Sequence, residues 1–181
     1  MEKYIKTNAE EQQNTIYTTK NISLHDCTII AQRIQEENKM HGHHMIEHTA
    51  EELFQEIHTG SCCGIKDNDK LIWFIKLIPV QKDWCILFER WSLFIHKKYR
   101  DKELWKHLVE TILNDNKTLP IYAVTNVEAV KKISKSLGQH EYTAIDIPKQ
   151  ILEVIETAGK LLENDVIYSN EILNVLIQKL I

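Results

Sequence analysis

Residues 84–110 constrain this chain most strongly, because a strand pattern, a basic turn and a helix pattern follow one another there. Large apolar and β-favouring residues dominate 84–95, which predicts a strand buried on at least one face. A basic turn covers 96–100, and apolar residues then recur at helical spacing from Asp101 or Lys102. Such a turn aims unpaired backbone N–H groups and the positive end of a helix dipole at one point. The stretch therefore predicts an anion site, with a phosphate as the first candidate.

The flanking patterns predict the rest of a mixed sheet. Residues 62–66 and 71–80 predict two strands joined by a hairpin turn, and a second turn leads into the strand at 84–95. These three strands are expected to be consecutive and antiparallel. The helix and a further strand at 120–125 follow them. This strand–helix–strand connection predicts a right-handed crossover between two parallel strands.

Three segments carry a resemblance to a known family: IHKKYR at 95–100, TLPIYAVT at 118–125, and the helix pattern that runs from Asn126 to Gly138. Together they resemble the core of the GNAT N-acyltransferase superfamily over roughly residues 60–143. The resemblance implies an α/β (α+β) fold with a mixed, mostly antiparallel central sheet, a V-shaped splay and flanking helices. It also implies acetyl-CoA as co-substrate, whose pyrophosphate the family holds in a glycine-containing loop. The two glycine positions hold Glu103 and Trp105 here, so the pyrophosphate loop is degenerate.

The resemblance assigns the cofactor contacts to the end of the strand and the start of the helix. Backbone N–H groups near Phe94 and Ile95 would be the oxyanion donors and the partners of the pantetheine arm. The other predicted cofactor-binding residues are Arg100, Asp101, Lys102, Glu103, Leu104, Trp105 and Asn126. Trp105 leaves two alternatives open, because its indole could pack over an adenine or fill the space of a phosphate.

Amine acylation by a thioester requires a base for the attacking amine and an acid for the leaving thiolate. Glu89 is the predicted base, because relatives often keep a glutamate at this position and because apolar neighbours would raise its pKa. The alternative is that Glu89 pairs with Arg90 or a neighbouring lysine at the sheet surface. The position of the family's tyrosine acid holds Ser134, a much weaker acid, and Tyr142 or His140 could take its place.

A length of 181 residues fits a single GNAT-like domain over 1–181, in which we expect 1–14 to be loosely ordered. Apolar stripes predict two helices over 148–181 as a C-terminal extension, which covers the sheet or, in the rival interpretation, forms a homodimer interface. The net charge of −4 argues against nucleic acid as the main partner. No apolar run approaches the roughly 20 residues that span a bilayer, and no secretory signal is recognisable, so we expect no membrane partner and a cytoplasmic location.

Cysteines and histidines are the remaining reactive side chains. The cysteines are expected to be reduced and packed as small residues, since adjacent Cys62 and Cys63 suit neither an ordinary disulfide nor a CxxC zinc site. Cys27 and Cys85 complete the set. The histidine-rich loop at 40–48 has enough donors for zinc or nickel, but its spacing matches no motif with a mechanism. We therefore predict a solvated or acceptor-lining loop and no metal site.

These observations predict an acyl-CoA-dependent N-acyltransferase that transfers an acetyl group from acetyl-CoA to a small-molecule or peptide amine. Glu89, Arg100 and the strand order favour this enzyme. The rival from another class is a degenerate, non-catalytic GNAT-like module with a regulatory or protein-binding role, which Glu103 and Trp105 favour. A third candidate is a metal-binding protein that uses the histidine loop.

Overall fold

The computed structural model describes residues 3–4, 16–41, 47–59, 61–94, 99, 102–159, 161–162 and 164–181. Within these ranges the strands are β1 (Lys3–Tyr4), β2 (Ile16–Thr19), β3 (Cys62–Asp67), β4 (Lys70–Lys82), β5 (Cys85–Phe94), β6 (Ile121–Thr125), β7 (His140–Tyr142) and β8 (Val166–Ser169). The helices are α1 (Leu24–His41), α2 (Ala50–Thr59), α3 (Lys102–Asp115), α4 (Glu128–Ser136), α5 (Lys149–Ala158) and α6 (Glu171–Leu180). This is the mixed, mostly antiparallel sheet with flanking helices that the sequence predicts.

The chain divides into two compact units. The first comprises Met1–Lys76 and Ser92–Leu108, and the second comprises Leu77–Trp91 and Val109–Ile181. Strands β4 and β5 and helix α3 contribute residues to both units. Among the helices in the described ranges, none is both long and apolar enough to cross a membrane.

In the first unit the strand order is β1-β2-β3-β4, and neighbouring strands are antiparallel. The β3–β4 hairpin turns at Asn68 and Asp69, whose φ angles of 46° and 66° are those of a tight hairpin turn. Strand β1 was not predicted, because two residues carry too little pattern to distinguish a strand from a coil. Helices α1 and α2 pack against each other.

Both of these helices begin with a capping box; the sequence indicates Ser23 as a cap of α1 and a Thr49–Glu52 box at α2. At α1, the Ser23 hydroxyl accepts a hydrogen bond from the Asp26 backbone N–H at 3.1 Å, and Asp26 accepts one from the Ser23 N–H at 2.8 Å. At α2, the Thr49 hydroxyl and the Glu52 carboxylate exchange the same two bonds at 3.2 and 2.8 Å. Reciprocal bonds of this kind satisfy N–H groups that a helix start leaves without partners.

A buried ion pair links α1 to β3 in the same unit. Lys66 Nζ lies 2.7 Å from Asp26 Oδ2, and the Asp26 side chain is almost fully buried. Burial alone would raise the pKa of the Asp26 carboxyl, but hydrogen bonds from Lys66 and Ser23 outweigh it and hold that pKa below its ordinary value. The carboxylate therefore stays ionised and serves both as a helix cap and as the partner of Lys66.

In the second unit the strand order is β4-β5-β6-β8-β7. Strands β5 and β6 are parallel, whereas β8 is antiparallel to both β6 and β7. Helices α5 and α6 contribute apolar side chains to one buried cluster with residues of the sheet. Its members are Val80, Cys85, Leu87, Tyr122, Ile147, Ile151, Val154, Ile155, Ile167, Leu173 and Ile177.

Strand β8 corrects the prediction that 148–181 consists of two helices only. Its four residues lie between α5 and α6 and pair with β6 and β7, so this segment contributes a strand to the sheet. The sequence also predicts a strand over 139–147, but the observed strand is shorter, since β7 ends at Tyr142 and a 3-10 turn follows over Ala144–Asp146.

By residue type the sequence predicts Ser169 as the cap of α6 and Asn126 as the cap of α4, and the structure corrects both. The residue that caps α6 is Asn170 instead of Ser169, and its side chain accepts a hydrogen bond from the Leu173 N–H at 3.1 Å. The N-cap position of α4 is Val127 instead of Asn126, with no side-chain cap bond. Serine and asparagine are both common caps, so the sequence alone could not choose between Ser169 and Asn170.

Candidate active site

The parallel ladder between β5 and β6 is short. In the described residues it pairs Phe88 with Ile121 and Glu89 with Tyr122. Beyond that point β6 continues to Thr125 and remains paired with β8, while β5 also continues. The Glu89–Tyr122 pair is therefore the last described rung, on the side where the resemblance places the splay.

Glu89 and Tyr122 share one face of the sheet, because residues paired across neighbouring strands point the same way. Tyr122 is 0% exposed, and its hydroxyl has no hydrogen-bond partner among the described residues. Glu89 is half-buried. Burial and the charge of Glu89 raise the pKa of the Tyr122 phenol well above its ordinary value. A carboxylate and a neutral phenol thus lie beside each other at the end of the ladder.

The next residue along β5, Arg90, lies on the opposite face and is 6% exposed. Its Nη1 donates to Gln139 Oε1 at 2.6 Å, and its Nη2 donates to Ser134 Oγ at 3.1 Å. Burial lowers the pKa of the guanidinium to about 10, so Arg90 remains charged at neutral pH. These partners argue against the alternative in which Glu89 pairs with Arg90, since the two side chains point to different faces.

The structure separates both predicted acids from Glu89. Ser134 is fully buried on α4 and accepts the Arg90 hydrogen bond on the opposite face, so we interpret it as a partner of Arg90. Tyr142 lies on β7, three strand spacings from β5, or about 14 Å across the sheet. Its hydroxyl donates to Asn174 Oδ1 on α6. The prediction that either residue protonates a thiolate beside Glu89 gains no support from these positions.

The predicted anion turn is described only at Tyr99, and there it is anchored within the first unit. The Tyr99 hydroxyl donates to Asp67 Oδ2 at the end of β3, and the Tyr99 carbonyl accepts a hydrogen bond from Trp73 Nε1 at 3.2 Å. The β3–β4 hairpin therefore fixes the position of Tyr99, which lies between Lys98 and Arg100 in the sequence. The other predicted cofactor contacts in this segment lie outside the described residues: Ile95, Arg100, Asp101, and the side chains of Phe94 and Lys102.

Helix α3 begins at Lys102, so Glu103 and Trp105, at the positions where the resembled loop has glycines, lie within its first turns. The Glu103 side chain is exposed, whereas Leu104 and Trp105 are buried at 4% and 5% exposure. A glutamate in a first turn is favourable for the helix itself, because it lies at the positive end of the dipole. The same negative charge would oppose a phosphate at that end. Trp105 is buried, so its indole does not form an exposed platform for an adenine.

The histidine loop can be followed only in part. His43 and His44 lie outside the described residues, whereas His48 Nδ1 lies 3.3 Å from Glu56 Oε1. Glu56 also forms an ion pair with the buried Lys76, whose Nζ lies 2.7 Å from Glu56 Oε2. Within the described ranges, no group of three or more His, Cys, Asp or Glu side chains is arranged to hold a metal ion.

The cysteines agree with the prediction of buried, reduced thiols. Cys27, Cys62, Cys63 and Cys85 are all buried and free. Burial raises the pKa of the Cys27 and Cys62 thiols to about 11, so neither is ionised at neutral pH. None of the four has the features of a nucleophile.

Comparison with solved structures shows that this chain has the fold of the GNAT acetyltransferases. A putative acetyltransferase from Salmonella typhimurium, solved with its cofactor acetyl-CoA, is similar with a TM-score of 0.62 and 11% identity, over 87% of this chain and 94% of that one. An acetyltransferase of the GNAT family from Staphylococcus aureus is similar with a TM-score of 0.59 and 15% identity, over 87% of this chain and 99% of that one. N-acetylglutamate synthase from Neisseria gonorrhoeae, complexed with coenzyme A and N-acetyl-glutamate, gives 0.60 and 14%, over 90% of this chain but 36% of the synthase. No protein-family model and no curated protein matches the chain.

Proposed function

We propose that this chain is an acyl-CoA-dependent N-acyltransferase that uses acetyl-CoA as co-substrate and acylates a small-molecule or peptide amine. The observation that carries the proposal is the short parallel ladder with a carboxylate, Glu89, on its last described rung. The fold supports it, because similar structures were solved with acetyl-CoA or coenzyme A. One of those complexes also holds N-acetyl-glutamate, the acylated form of an amino acid, which is why amines of this size are our first acceptors to test.

In this proposal Glu89 is the general base. Its carboxylate takes the proton from the neutral acceptor amine as the nitrogen lone pair attacks the thioester carbonyl carbon. A C–N bond forms, the C–S bond breaks, and the electron pair leaves with sulfur as a thiolate. A half-buried carboxylate beside an apolar cluster suits this role, because incomplete solvation favours proton uptake.

The proposal gives Tyr99 a supporting role in cofactor binding. The turn before α3 would present backbone N–H groups to the pyrophosphate, and the contacts of Tyr99 with Asp67 and Trp73 hold its backbone in place. Ser134 and Tyr142 are not included as acids, because each hydroxyl is engaged elsewhere in the unit.

The test is acetyl transfer measured as release of the free thiol from acetyl-CoA in the presence of a panel of amino acids, polyamines and short peptides. We expect at least one amine to stimulate release by the unmodified protein, and Glu89→Gln to reduce kcat by about 10²–10⁴-fold, the usual contribution of a positioned base. Glu156→Gln, which removes an exposed carboxylate from α5, is the matched control and should leave the rate unchanged. Equal activity of Glu89→Gln and the unmodified protein would contradict the assignment of the base.

A second candidate function is a GNAT-like protein-binding module without transferase activity. The observation that favours it is Glu103, whose carboxylate lies in the first turn of α3, where a pyrophosphate would have to bind. This candidate predicts that acetyl-CoA does not bind at all. The two candidates therefore differ in a binding measurement that needs no knowledge of the acceptor.

A further inference from the structure

One face of the sheet in the second unit carries a row of polar residues across four strands. The registers pair Glu89 with Tyr122, Tyr122 with Ser169, and Ser169 with His140. Residues paired in this way point to the same side, so all four lie on the face that α5 and α6 cover. The row ends at His140, whose Nε2 lies 3.0 Å from Glu171 Oε2 near the surface.

The two middle members of the row are unusual. Tyr122 and Ser169 are both 0% exposed, and neither hydroxyl has a hydrogen-bond partner among the described residues. A buried hydroxyl without a partner is costly, and native structures contain few of them. A role for one of these hydroxyls would explain why the fold retains it despite that cost.

Tyr168, the neighbour of Ser169 on β8, shows what a satisfied buried tyrosine looks like in the same sheet. It is also 0% exposed, but it lies on the opposite face and its hydroxyl donates to Glu141 Oε2. The fold can therefore supply a carboxylate partner to a buried tyrosine. Tyr122 has a carboxylate beside it too, since Glu89 is its partner in the parallel register.

The dimensions allow Tyr122 and Glu89 to meet. Neighbouring strands are about 4.8 Å apart, and both side chains extend from the same face, so a rotamer change of Glu89 is enough to bring its carboxylate to the phenol. The serine side chain of Ser169 is much shorter than a phenol and starts one strand further from Glu89. The pair Glu89–Tyr122 is therefore the contact that the register favours.

We propose that Tyr122 is a positioning residue, whose hydroxyl donates a hydrogen bond to the Glu89 carboxylate and fixes it at the end of the β5–β6 ladder. This inference rests on the proposed function, because it assumes that Glu89 is the base. Tyr122 acts through Glu89 and does not itself transfer a proton. Its raised pKa agrees with this, since the phenol keeps its proton and remains a donor at every working pH.

Two ion pairs among the described residues also lie on this side of the sheet. His140 contacts Glu171 from α6, and Lys82 Nζ lies 2.9 Å from Glu153 Oε2 of α5. Both pairs are at least partly exposed, so solvent screens their influence on Glu89. The Tyr122 hydroxyl is a buried donor that is paired directly with Glu89 in the β5–β6 register.

The test is the titration of Glu89 followed by NMR in protein labelled at glutamate carboxyl carbons, with Glu89→Gln to assign the resonance. A hydrogen bond to the ionised carboxylate lowers its titration midpoint, so in Tyr122→Phe we expect the Glu89 midpoint to rise by about one to two pH units. Tyr168→Phe, which removes a buried hydroxyl from the neighbouring strand, is the matched control and should leave the midpoint unchanged. An unchanged midpoint in folded Tyr122→Phe would overturn the inference.

Two further measurements make the result unambiguous. In the unmodified protein, the ring carbon that carries the Tyr122 hydroxyl should shift with the Glu89 titration, and this reading remains if Tyr122→Phe does not fold. A Tyr122 resonance that ignores the titration of Glu89 would again overturn the inference. The acid limb of kcat/KM should move upward in Tyr122→Phe by the same amount as the NMR midpoint.

The NMR result needs neither acetyl-CoA nor an acceptor, so it separates the two proposals. If the midpoint moves but no amine is ever acylated, the hydrogen bond is established and the proposed function fails. If acetyl transfer depends on Glu89 but the midpoint does not move, the proposed function stands and the role of Tyr122 fails.

Discussion

Removing the Arg90 guanidinium should destabilise the second unit measurably. The group is buried and donates to Gln139 Oε1 at 2.6 Å and to Ser134 Oγ at 3.1 Å. A hydrogen bond that involves a charged group contributes about 1.5–3 kcal/mol, so Arg90→Met loses about 3–6 kcal/mol from these two bonds. The methionine recovers part of this because no charge has to be desolvated, which leaves a net loss of about 2–4 kcal/mol.

The assay is urea denaturation followed by tryptophan fluorescence, together with thermal unfolding. For a chain of this length, a loss of that size lowers Tm by about 5–15 °C. Lys132→Met, which removes an exposed cation from α4, is the control and should change stability by less than about 0.5 kcal/mol.

A double-mutant cycle tests the bonds themselves. Ser134→Ala should cost about 1 kcal/mol or more in the unmodified protein and much less when Arg90 is already methionine, because the bond is then absent. A stability of Arg90→Met equal to that of the unmodified protein, or additive effects of the two substitutions, would refute the reasoning.

Two other predictions concern single residues elsewhere in the chain. Asp26→Asn should cost about 3 kcal/mol in urea denaturation, because Lys66 would keep a buried charge without its partner. Since the folded-state pKa of Asp26 is lowered, its contribution to the free energy of unfolding is present above the unfolded pKa of about 3.9 and is lost as pH falls through the folded pKa. If the stability of the unmodified protein depended on pH in the same way as that of Asp26→Asn, this prediction would be contradicted. Gly138→Ala should cost about 1 kcal/mol, because Gly138 ends α4 with a φ of 71° that a side chain disfavours. Gly159, with an extended φ of 173° and open space around it, is the matched control, and equal costs at the two glycines would contradict the backbone argument.

Local patterns were sufficient to predict most elements of the fold. Ser23, a common cap residue, and the Thr49–Glu52 capping box predicted the starts of α1 and α2, since these signals involve residues at most three apart in the chain. The turn at Asn68 and Asp69 was recognisable because these residue types tolerate positive φ. Interactions between residues this close in the chain can be recognised from the sequence alone.

Strand β8 could not be predicted, because it depends on partners far away in the chain. Its four residues are too few for a period, and they gain their ladder only from β6 and β7. Asn170 shows the same limit: its side chain accepts from the Ile121 N–H at 3.0 Å and donates to the Leu119 carbonyl at 2.8 Å, in addition to capping α6. Nothing near Asn170 in the sequence indicates those bonds.

The candidate site shows the same difference between local signals, which the sequence reveals, and distant contacts, which it does not. The sequence predicted Glu89 and the strand that carries it. Ser134 was a candidate acid by counting from a family pattern, and Tyr142 because it lies nearby in the sequence. The register of β7 and the partner of Ser134 move both away from Glu89. Tyr122 was missed, although a tyrosine within an apolar strand is itself a signal, because its hydroxyl needs a partner when buried.

Calorimetric titration with acetyl-CoA tests the central claim most directly, because it requires no acceptor and no assumption about the base. The account predicts a saturable one-to-one isotherm with a Kd between about 1 μM and 1 mM, the range in which enzymes usually bind their substrates. A flat trace at millimolar acetyl-CoA would contradict the account and favour the protein-binding module instead.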